Sequence, residues 1–323
     1  MVGEIDLLLI THRKAQEVDG VIDAVRAKGL SVERVNLCRY PEQATYTWSS
    51  IPLDRPPNFP KARVGWFHNP GLYSISRSLD GHGRELALKE CEGFWEGLAL
   101  AIDLDWLNHP EALILSSRKL AQVDVATRLG ISVPETLVSN DPVAVARFFV
   151  QHHGAVVKSL ANGYSVYREE RLKLYSRYYS KLPAELADGL SYSPMVFQRC
   201  IEKRCELRVT CVDGECFGLV ADTSDLTSEN IDIRRLDYEA EKSRFLGIKV
   251  PEPVLDASLA LMSHFKLAYA GLDWIQDVNG EWYFLELNCM GAFKWSELQG
   301  AGDITTALAS AIARRVSNRV ASS

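Results

Sequence analysis

The residues of this chain that could do chemistry together include two carboxylates and one amide near the C-terminus. Asp273, Glu286 and Asn288 lie in the stretch LDWIQDVNGEWYFLELNCMG, residues 272–291, which is otherwise rich in apolar and aromatic side chains. Buried carboxylates need a positive partner, or one of them must hold a proton. An all-oxygen set of two carboxylates and an amide suits Mg²⁺, which often bridges to phosphates. The group therefore predicts an enzyme that uses a nucleotide.

A hairpin must bring these side chains together. Two strand-like runs flank an Asn-Gly dipeptide at 279–280, which is typical of a two-residue turn. With such a turn Val278 faces Glu281, and counting back places Asp273 opposite Glu286. Position 288 then points to the same face. The alternative, an exposed acidic ribbon, is disfavoured because the apolar neighbours indicate strands that are buried on both sides.

Three basic residues are candidates for contacts with phosphate. Lys158 ends the apolar run AVVK just before a glycine-containing loop, where it could clamp a phosphate. Lys119 lies near a helix start, which is unfavourable for a cation without an anionic partner. Arg208 lies between apolar neighbours in ELRVT, so it points away from their core and needs an anion. The alternative for the two lysines is a solvated surface position.

A polar segment downstream contains DIRR, with Asp232 and Arg234 two residues apart. An arginine pair, Arg208 with Arg234, could stabilise a transferring phosphoryl group, and Asp232 is a candidate base for a hydroxyl nucleophile. The alternative is a surface ion pair between 232 and 234 that contributes little.

An apolar strand at 195–201 could hold a purine against its backbone and its side chains. Glu202 follows it and could bind ribose hydroxyls, although the same pattern fits an ordinary core strand. Residues 195–202 read MVFQRCIE.

Bulk properties limit the class of protein. The chain has 323 residues, 47% apolar composition and a net charge of −6, which favours one elaborated α/β domain or two domains and argues against broad nucleic-acid or membrane binding. No apolar run is long enough for a transmembrane helix, and the N-terminus lacks the pattern of a signal peptide. Phosphate-binding P-loop and dinucleotide fingerprints are also missing from the sequence.

The cysteines favour a reduced, cytoplasmic protein. Seven are scattered without C-x-x-C pairs. A second hairpin signal, Asp213-Gly214, places Cys211 opposite Cys216. A cross-strand disulfide is open there, but we expect two small core thiols.

The elements that must position these residues begin with a βαβ unit, which favours a parallel sheet. Strands are expected at 5–10, 30–37, 64–67 and 155–158. Helices are expected at 84–104, 117–130, after a cap at 140 or 141, within 170–190, at 254–265 and at 304–316.

The order of these pieces resembles the ATP-grasp superfamily, and within it the graspetide (microviridin-type) peptide ligases, relatives of the ribosomal-protein glutamate ligases. The resemblance covers nearly the whole chain and is carried by the segment from LDWLNHP to VSNDP, and by ELRVT, DIRR, GLDWI and FLELN. The chain departs from the family pattern at 66–70, WFHNP, and at 288–293, NCMGAF.

The resemblance implies an α/β (α+β) ATP-grasp fold, with an N-terminal domain at 1–115, a central lobe at 116–200 and a C-terminal lobe at 201–323. Two lobes of antiparallel sheet would clasp ATP, with adenine at 198–201, phosphates at Lys119 and Lys158, and Mg²⁺ on the three C-terminal ligands. Arg208 and Arg234 would stabilise an acyl phosphate.

The implied reaction joins an Asp or Glu side chain of a precursor peptide to a Ser/Thr hydroxyl or a Lys amine, with a leader segment docked on the enzyme. Two alternatives stay open: a ligase for free amino acids or small metabolites, and a nucleotide-binding regulatory module. The oligomeric state is also open, with a homodimer as one arrangement.

Overall fold

The computed structural model describes residues 5–51, 60–160, 164–167, 170–173, 175–223 and 244–321. The strands are β1 (Ile5–Thr11), β2 (Val32–Asn36), β3 (Ala62–Phe67), β4 (Asp105–Trp106), β5 (Thr136–Ser139), β6 (Ala155–Lys158), β7 (Tyr164–Tyr167), β8 (Glu170–Lys173), β9 (Arg177–Tyr179), β10 (Met195–Gln198), β11 (Lys203–Val212), β12 (Glu215–Asp222), β13 (Phe245–Ile248), β14 (Tyr269–Asp277) and β15 (Trp282–Asn288). The helices are α1 (Asp19–Ala27), α2 (Gly81–Ala101), α3 (Pro110–Ser116), α4 (Lys119–Arg128), α5 (Pro142–Gln151), α6 (Ala184–Gly189), α7 (Glu252–His264), α8 (Lys294–Leu298) and α9 (Ile304–Ala321).

The first sheet is parallel, with the strand order β2-β1-β3-β4. Alternate residues of β1 point to opposite faces. Leu8 and Ile10 join a core with α2, whereas Leu7 and Leu9 join a core with α1 and α9. Both faces are therefore covered, as a parallel sheet requires, and the predicted βαβ opening is confirmed. One of the covering layers comes from the C-terminal end of the chain.

Two antiparallel sheets follow. The second sheet has the order β5-β10-β6-β9, and the third has the order β13-β12-β11-β14-β15. Residues 199–202 connect β10 of the second sheet with β11 of the third sheet. The β7–β8 pair forms a separate ladder. The described part of 170–190 holds β8, β9 and the short helix α6, where one helix was expected, so that prediction is wrong. The Tyr-rich part of this segment favours strands.

The β11–β12 turn forms as predicted. Asp213 and Gly214 have φ of 49° and 92°, the left-handed pair that a tight hairpin turn needs, and Cys211 lies opposite Cys216. The expectation of two free thiols is wrong, because the structure joins these cysteines as a disulfide with Cα atoms 4.3 Å apart. The register of a tight turn places the two side chains side by side on one face.

Within the described ranges, no helix is both long and apolar enough to cross a membrane.

Candidate active site

The β14–β15 hairpin brings Asp273 opposite Glu286, as predicted, but by a different route. The predicted two-residue turn is wrong: Asp277 donates its backbone N–H to the carbonyl of Glu281 at 2.9 Å, so three residues form the loop. Gly280 has the positive φ, 94°, that ends such a loop. A register shift after 273 then inserts one extra residue into the other strand and restores the pairing.

The three candidate metal ligands form one cluster, the acidic cluster, made of Asp273, Glu286 and Asn288. The amide nitrogen of Asn288 lies 3.1 Å from Asp273 Oδ2 and 3.2 Å from Glu286 Oε1. Arg208 Nη1 donates to Asp273 Oδ1 at 2.7 Å. Lys119 Nζ lies 3.9 Å from Glu286 Oε2. Two cations therefore offset two carboxylates in a partly buried site.

The donor set of the acidic cluster fits a hard divalent cation. One oxygen of each carboxylate converges on the Asn288 amide. The O and N atoms of an amide are assigned from their hydrogen bonds, so a rotation of that amide by a half-turn would present a third oxygen to the same point. Such a set is typical of Mg²⁺ sites, in which substrate phosphates and waters complete the coordination. Metal binding by these three residues stays a prediction.

Arg208 lies in a slot between two glycines. A Cβ atom on Gly271 would lie 2.3–2.6 Å from the guanidinium, and one on Gly291 would lie 2.5 Å from Nη2. Burial alone would lower the pKa of Arg208, but the Asp273 charge and hydrogen bond outweigh it and raise that pKa. The slot fixes a permanent positive charge beside the acidic cluster.

Tyr269 supports the Gly291 side of the slot. It lies on the same face of β14 as Gly271 and Asp273, two and four residues further along the strand. Its hydroxyl donates to the carbonyl of Gly291. Burial raises the pKa of Tyr269 far above the ordinary value, so this hydroxyl stays protonated and keeps donating.

Gly271→Ala should displace Arg208 and lower turnover. Because Arg208 is packed on both sides, its guanidinium cannot move aside without losing Asp273. We expect kcat for ADP formation to fall by about 10²-fold, the effect of an ångström-scale misplacement. The control is Gly97→Ala in α2, where an added Cβ meets no atom within 4 Å. Equal rates in the two variants would contradict the slot.

Sequence reasoning missed Gln122, a buried residue of α4 that holds β15 in place. Its Nε2 donates to Leu287 O at 2.8 Å and to Ser116 O at 2.6 Å, and its Oε1 accepts from Leu287 N at 2.9 Å. Leu287 lies between two members of the acidic cluster on the edge strand of the third sheet. Gln122 therefore pairs with the backbone as a further strand would. A polar residue on the buried face of a predicted helix was the available signal.

Gln122→Met should lower the free energy of unfolding by about 2–4 kcal/mol, because it leaves buried backbone groups without partners. Urea denaturation of the variant and of Gln151→Met, an exposed position on α5, would measure this. An unchanged midpoint for Gln122→Met would show that the bonds to Leu287 contribute little.

Asn108 was also missed, and it ties the end of the first sheet to β14. Its side-chain amide donates to Tyr269 O at 2.7 Å and to Cys289 O at 3.2 Å. Its oxygen accepts from Ala268 N and Tyr269 N at 2.8 and 3.0 Å. One buried side chain thereby fixes the backbone at the start of β14 and just after the end of β15.

The candidate nucleotide segment lies between the second and third sheets. Gln198 is buried and donates to Thr136 Oγ1 at 3.0 Å. Burial lowers the pKa of Arg199, but Glu135 outweighs it and raises that pKa. Arg199 binds Glu135 and lies over the Tyr283 ring, 5.8 Å from its centroid. Its side chain is therefore occupied within the protein.

The backbone of the same segment is better suited to a ligand. Among the described residues, no hydrogen bond uses the backbone groups of Cys200 or Ile201. The carbonyl of Glu202 accepts from Val278 N at 3.3 Å. The backbone at 200–201 can thus offer a donor and acceptor to a flat heterocycle, whereas the side chain of Ile201 is buried.

Of the remaining predicted site residues, the structure describes the two lysines but not Asp232 and Arg234. Lys158 ends β6 opposite Val196, and the next residue, Ser159, accepts a hydrogen bond from Lys119 Nζ at 2.9 Å. The second sheet thus reaches the acidic cluster through Lys119. Asp232 and Arg234 lie outside the described residues.

The parallel sheet followed by two antiparallel sheets, with a carboxylate pair on the second of these, defines an ATP-grasp fold, and the predicted fold class is confirmed. No family model matches this chain, and none of the curated proteins matches it.

Solved structures share the fold over nearly the full length. An ATP-grasp ligase associated with RiPPs from Chryseobacterium gregarium, in complex with ADP and a leader and core peptide, is 24% identical over 96% of this chain and 97% of that chain, with a TM-score of 0.81. Macrocyclase MdnB from Microcystis aeruginosa MRC is 25% identical over 96% and 99%, with a TM-score of 0.73. ATP-grasp ligase PsnB, complexed with a minimal precursor, Mg and ADP, is 22% identical over 96% and 98%, with a TM-score of 0.72.

Proposed function

We propose that this chain is an ATP-dependent ligase that activates Asp or Glu side chains of a precursor peptide and joins them to hydroxyl or amine groups of the same peptide. One observation carries this proposal: two facing carboxylates and an amide converge on one point, with Arg208 and Lys119 beside them. This arrangement suits the phosphates of ATP with a divalent cation, and the fold is shared with solved ligases complexed with ADP and peptides.

The reaction would take two steps. The peptide carboxylate attacks the γ-phosphorus of ATP, which forms an acyl phosphate and releases ADP. A hydroxyl or amine of the peptide then attacks the acyl carbon, phosphate leaves, and the nucleophile loses a proton. Each crosslink therefore removes the elements of one water from the peptide.

The chain's own residues would position these groups and offset their charge. Arg208 holds a fixed positive charge beside Asp273, and Lys119 holds another beside Glu286. The acidic cluster would bind Mg²⁺, which would neutralise phosphate charge when bound. Lys158 and Arg234 as further phosphate contacts, and Asp232 as a base, complete the proposal.

The nucleotide would lie between the second and third sheets. The backbone of Cys200 and Ile201 would bind adenine, flanked by Gln198 and Arg199, and Glu202 would bind the ribose.

We also propose that the chain divides into an N-terminal domain at 1–115, a central lobe at 116–200 and a C-terminal lobe at 201–323. A leader segment of the peptide would dock on the enzyme, and the enzyme would form a homodimer. We propose a cytoplasmic location because the reaction needs ATP.

The test is mass spectrometry of peptides encoded beside the gene, incubated with the protein, ATP and Mg²⁺. Loss of one water per crosslink, together with ADP release, is the expected result. ADP release with free amino acids and not with peptides would favour the small-metabolite alternative. ATP binding without ADP release under both conditions would favour a regulatory module and contradict the proposal.

A further inference from the structure

A cavity of about 200 Å³ lies at the carboxyl ends of β1 and β2, apart from the acidic cluster. Its lining includes His12, Arg13, Lys14, Arg39 and Gly71. Strand order places β1 between β2 and β3. In open α/β sheets, ligands bind in the crevice beyond the carboxyl ends of strands, where neighbouring connections leave in opposite directions.

The cavity is basic in a chain that is acidic overall. Arg13, Lys14 and Arg39 line it together, whereas the whole chain has a net charge of −6. Across the described residues, none of the ion pairs includes the side chain of any of these three. Three cations brought together repel one another and lower the stability of the fold, and such a local cost is expected at functional sites.

The backbone around the cavity also departs from ordinary geometry. Gly71 has φ of 72°, and a Cβ atom there would lie 2.9 Å from the Cβ of His12. Only glycine lets the chain after β3 approach β1 this closely without strain. This close approach belongs to the segment that follows WFHNP, where the chain departs from the family pattern, and it forms one wall of the cavity.

The same edge of the first sheet packs against β14 through His68. His68 follows β3, is fully buried, and its Nε2 lies 2.8 Å from Glu17 Oε1. Its ring contacts that of Tyr269, with centroids 5.8 Å apart. Tyr269 in turn lies on the strand face of Asp273. Buried side chains therefore link the end of β3, beside the cavity, to the strand that carries Asp273.

We propose that this cavity binds carboxylate side chains of an acidic peptide substrate, next to the carboxylate that reacts. The inference rests on the proposed function, which requires a substrate with Asp or Glu side chains. Three exposed cations at one edge would offset the charge of the carboxylates that are not reacting. They would also hold the peptide so that one carboxylate at a time reaches the acidic cluster.

The experiment measures fluorescence anisotropy of a fluorescein-labelled peptide of alternating glutamate and threonine, with the full chain. The test variant is R13Q/K14Q/R39Q. The matched control is K28Q/R128Q/K249Q, which removes the same charge from exposed positions elsewhere. A peptide with glutamine in place of glutamate tests the need for carboxylates, and thermal unfolding of each variant tests its fold.

We expect the acidic peptide to bind the wild type and the control alike, and to bind the test variant about tenfold more weakly. The glutamine peptide should bind none of them well. An unchanged dissociation constant in the test variant, equal binding of the glutamine peptide, or no binding to the wild type would each overturn the proposal. Weaker ADP binding in the test variant would assign the cavity to the nucleotide and would also overturn it.

These results are independent of turnover. If the wild type releases no ADP but the binding pattern holds, the proposed reaction fails and the cavity stands as a carboxylate site. If crosslinking occurs and the test variant binds peptide normally, only the cavity proposal fails.

Discussion

Glu286→Gln is expected to leave the fold intact and to lower the rate of ADP formation by about 10³-fold or more. Glutamine has nearly the same shape, so the pairing of β15 with β14 is kept. The substitution removes one of two facing carboxylates, and with it the charge that would bind Mg²⁺. Steady-state ADP release and circular dichroism on the same preparation would measure the two effects.

The matched control is Glu281→Gln, which makes the same chemical change in the loop of the same hairpin, at an exposed position. It should keep wild-type turnover. Raising the Mg²⁺ concentration should recover part of the activity of Glu286→Gln if metal affinity is what falls. Full activity of Glu286→Gln at ordinary Mg²⁺ would remove this residue from the site.

Arg208→Lys is expected to lower kcat by about 10²–10³-fold, although it keeps the positive charge. The flat guanidinium fills the slot between Gly271 and Gly291, where each glycine leaves no room for a side chain of its own. An ammonium group is compact and cannot fill the slot while it donates to Asp273. The comparison separates the effect of shape from that of charge.

Arg204→Lys is the control for that variant, because it changes an exposed arginine on the same strand, β11. The rate of ADP formation should be unchanged in Arg204→Lys. The binding constant for ATP, measured by calorimetry, should change less than kcat in Arg208→Lys if the arginine acts mainly on the transferring group. A variant with wild-type kcat would show that charge alone is sufficient.

The sequence predicts the carboxylate pair because an Asn-Gly dipeptide between two strand-like runs sets the register of a hairpin. The route was nevertheless wrong: the loop holds three residues, and a bulge offsets the extra one. The extra residue is Leu285, which has no partner on β14. A bulge depends on the neighbouring strands and side chains in three dimensions, so the local sequence around Leu285 does not reveal it. The correct pairing came from two deviations that cancel.

Contacts between distant segments could not be predicted in the same way. Gln122 binds Leu287 across 165 positions of sequence, and nothing in either local pattern indicates the other. Gly271 did carry a signal, because a glycine inside an apolar strand often marks a close approach. The partner of that approach, Arg208, became evident only when β11 and β14 paired.

The packing of α9 against the first sheet affects how the chain folds during synthesis. Leu308 and Ile312 of that helix share a core with Leu7 and Leu9 of the first strand, so this face of the first sheet, which α1 covers in part, is fully covered only after α9 has been synthesised. A fragment that ends before α9 should therefore expose apolar strand residues and aggregate during expression.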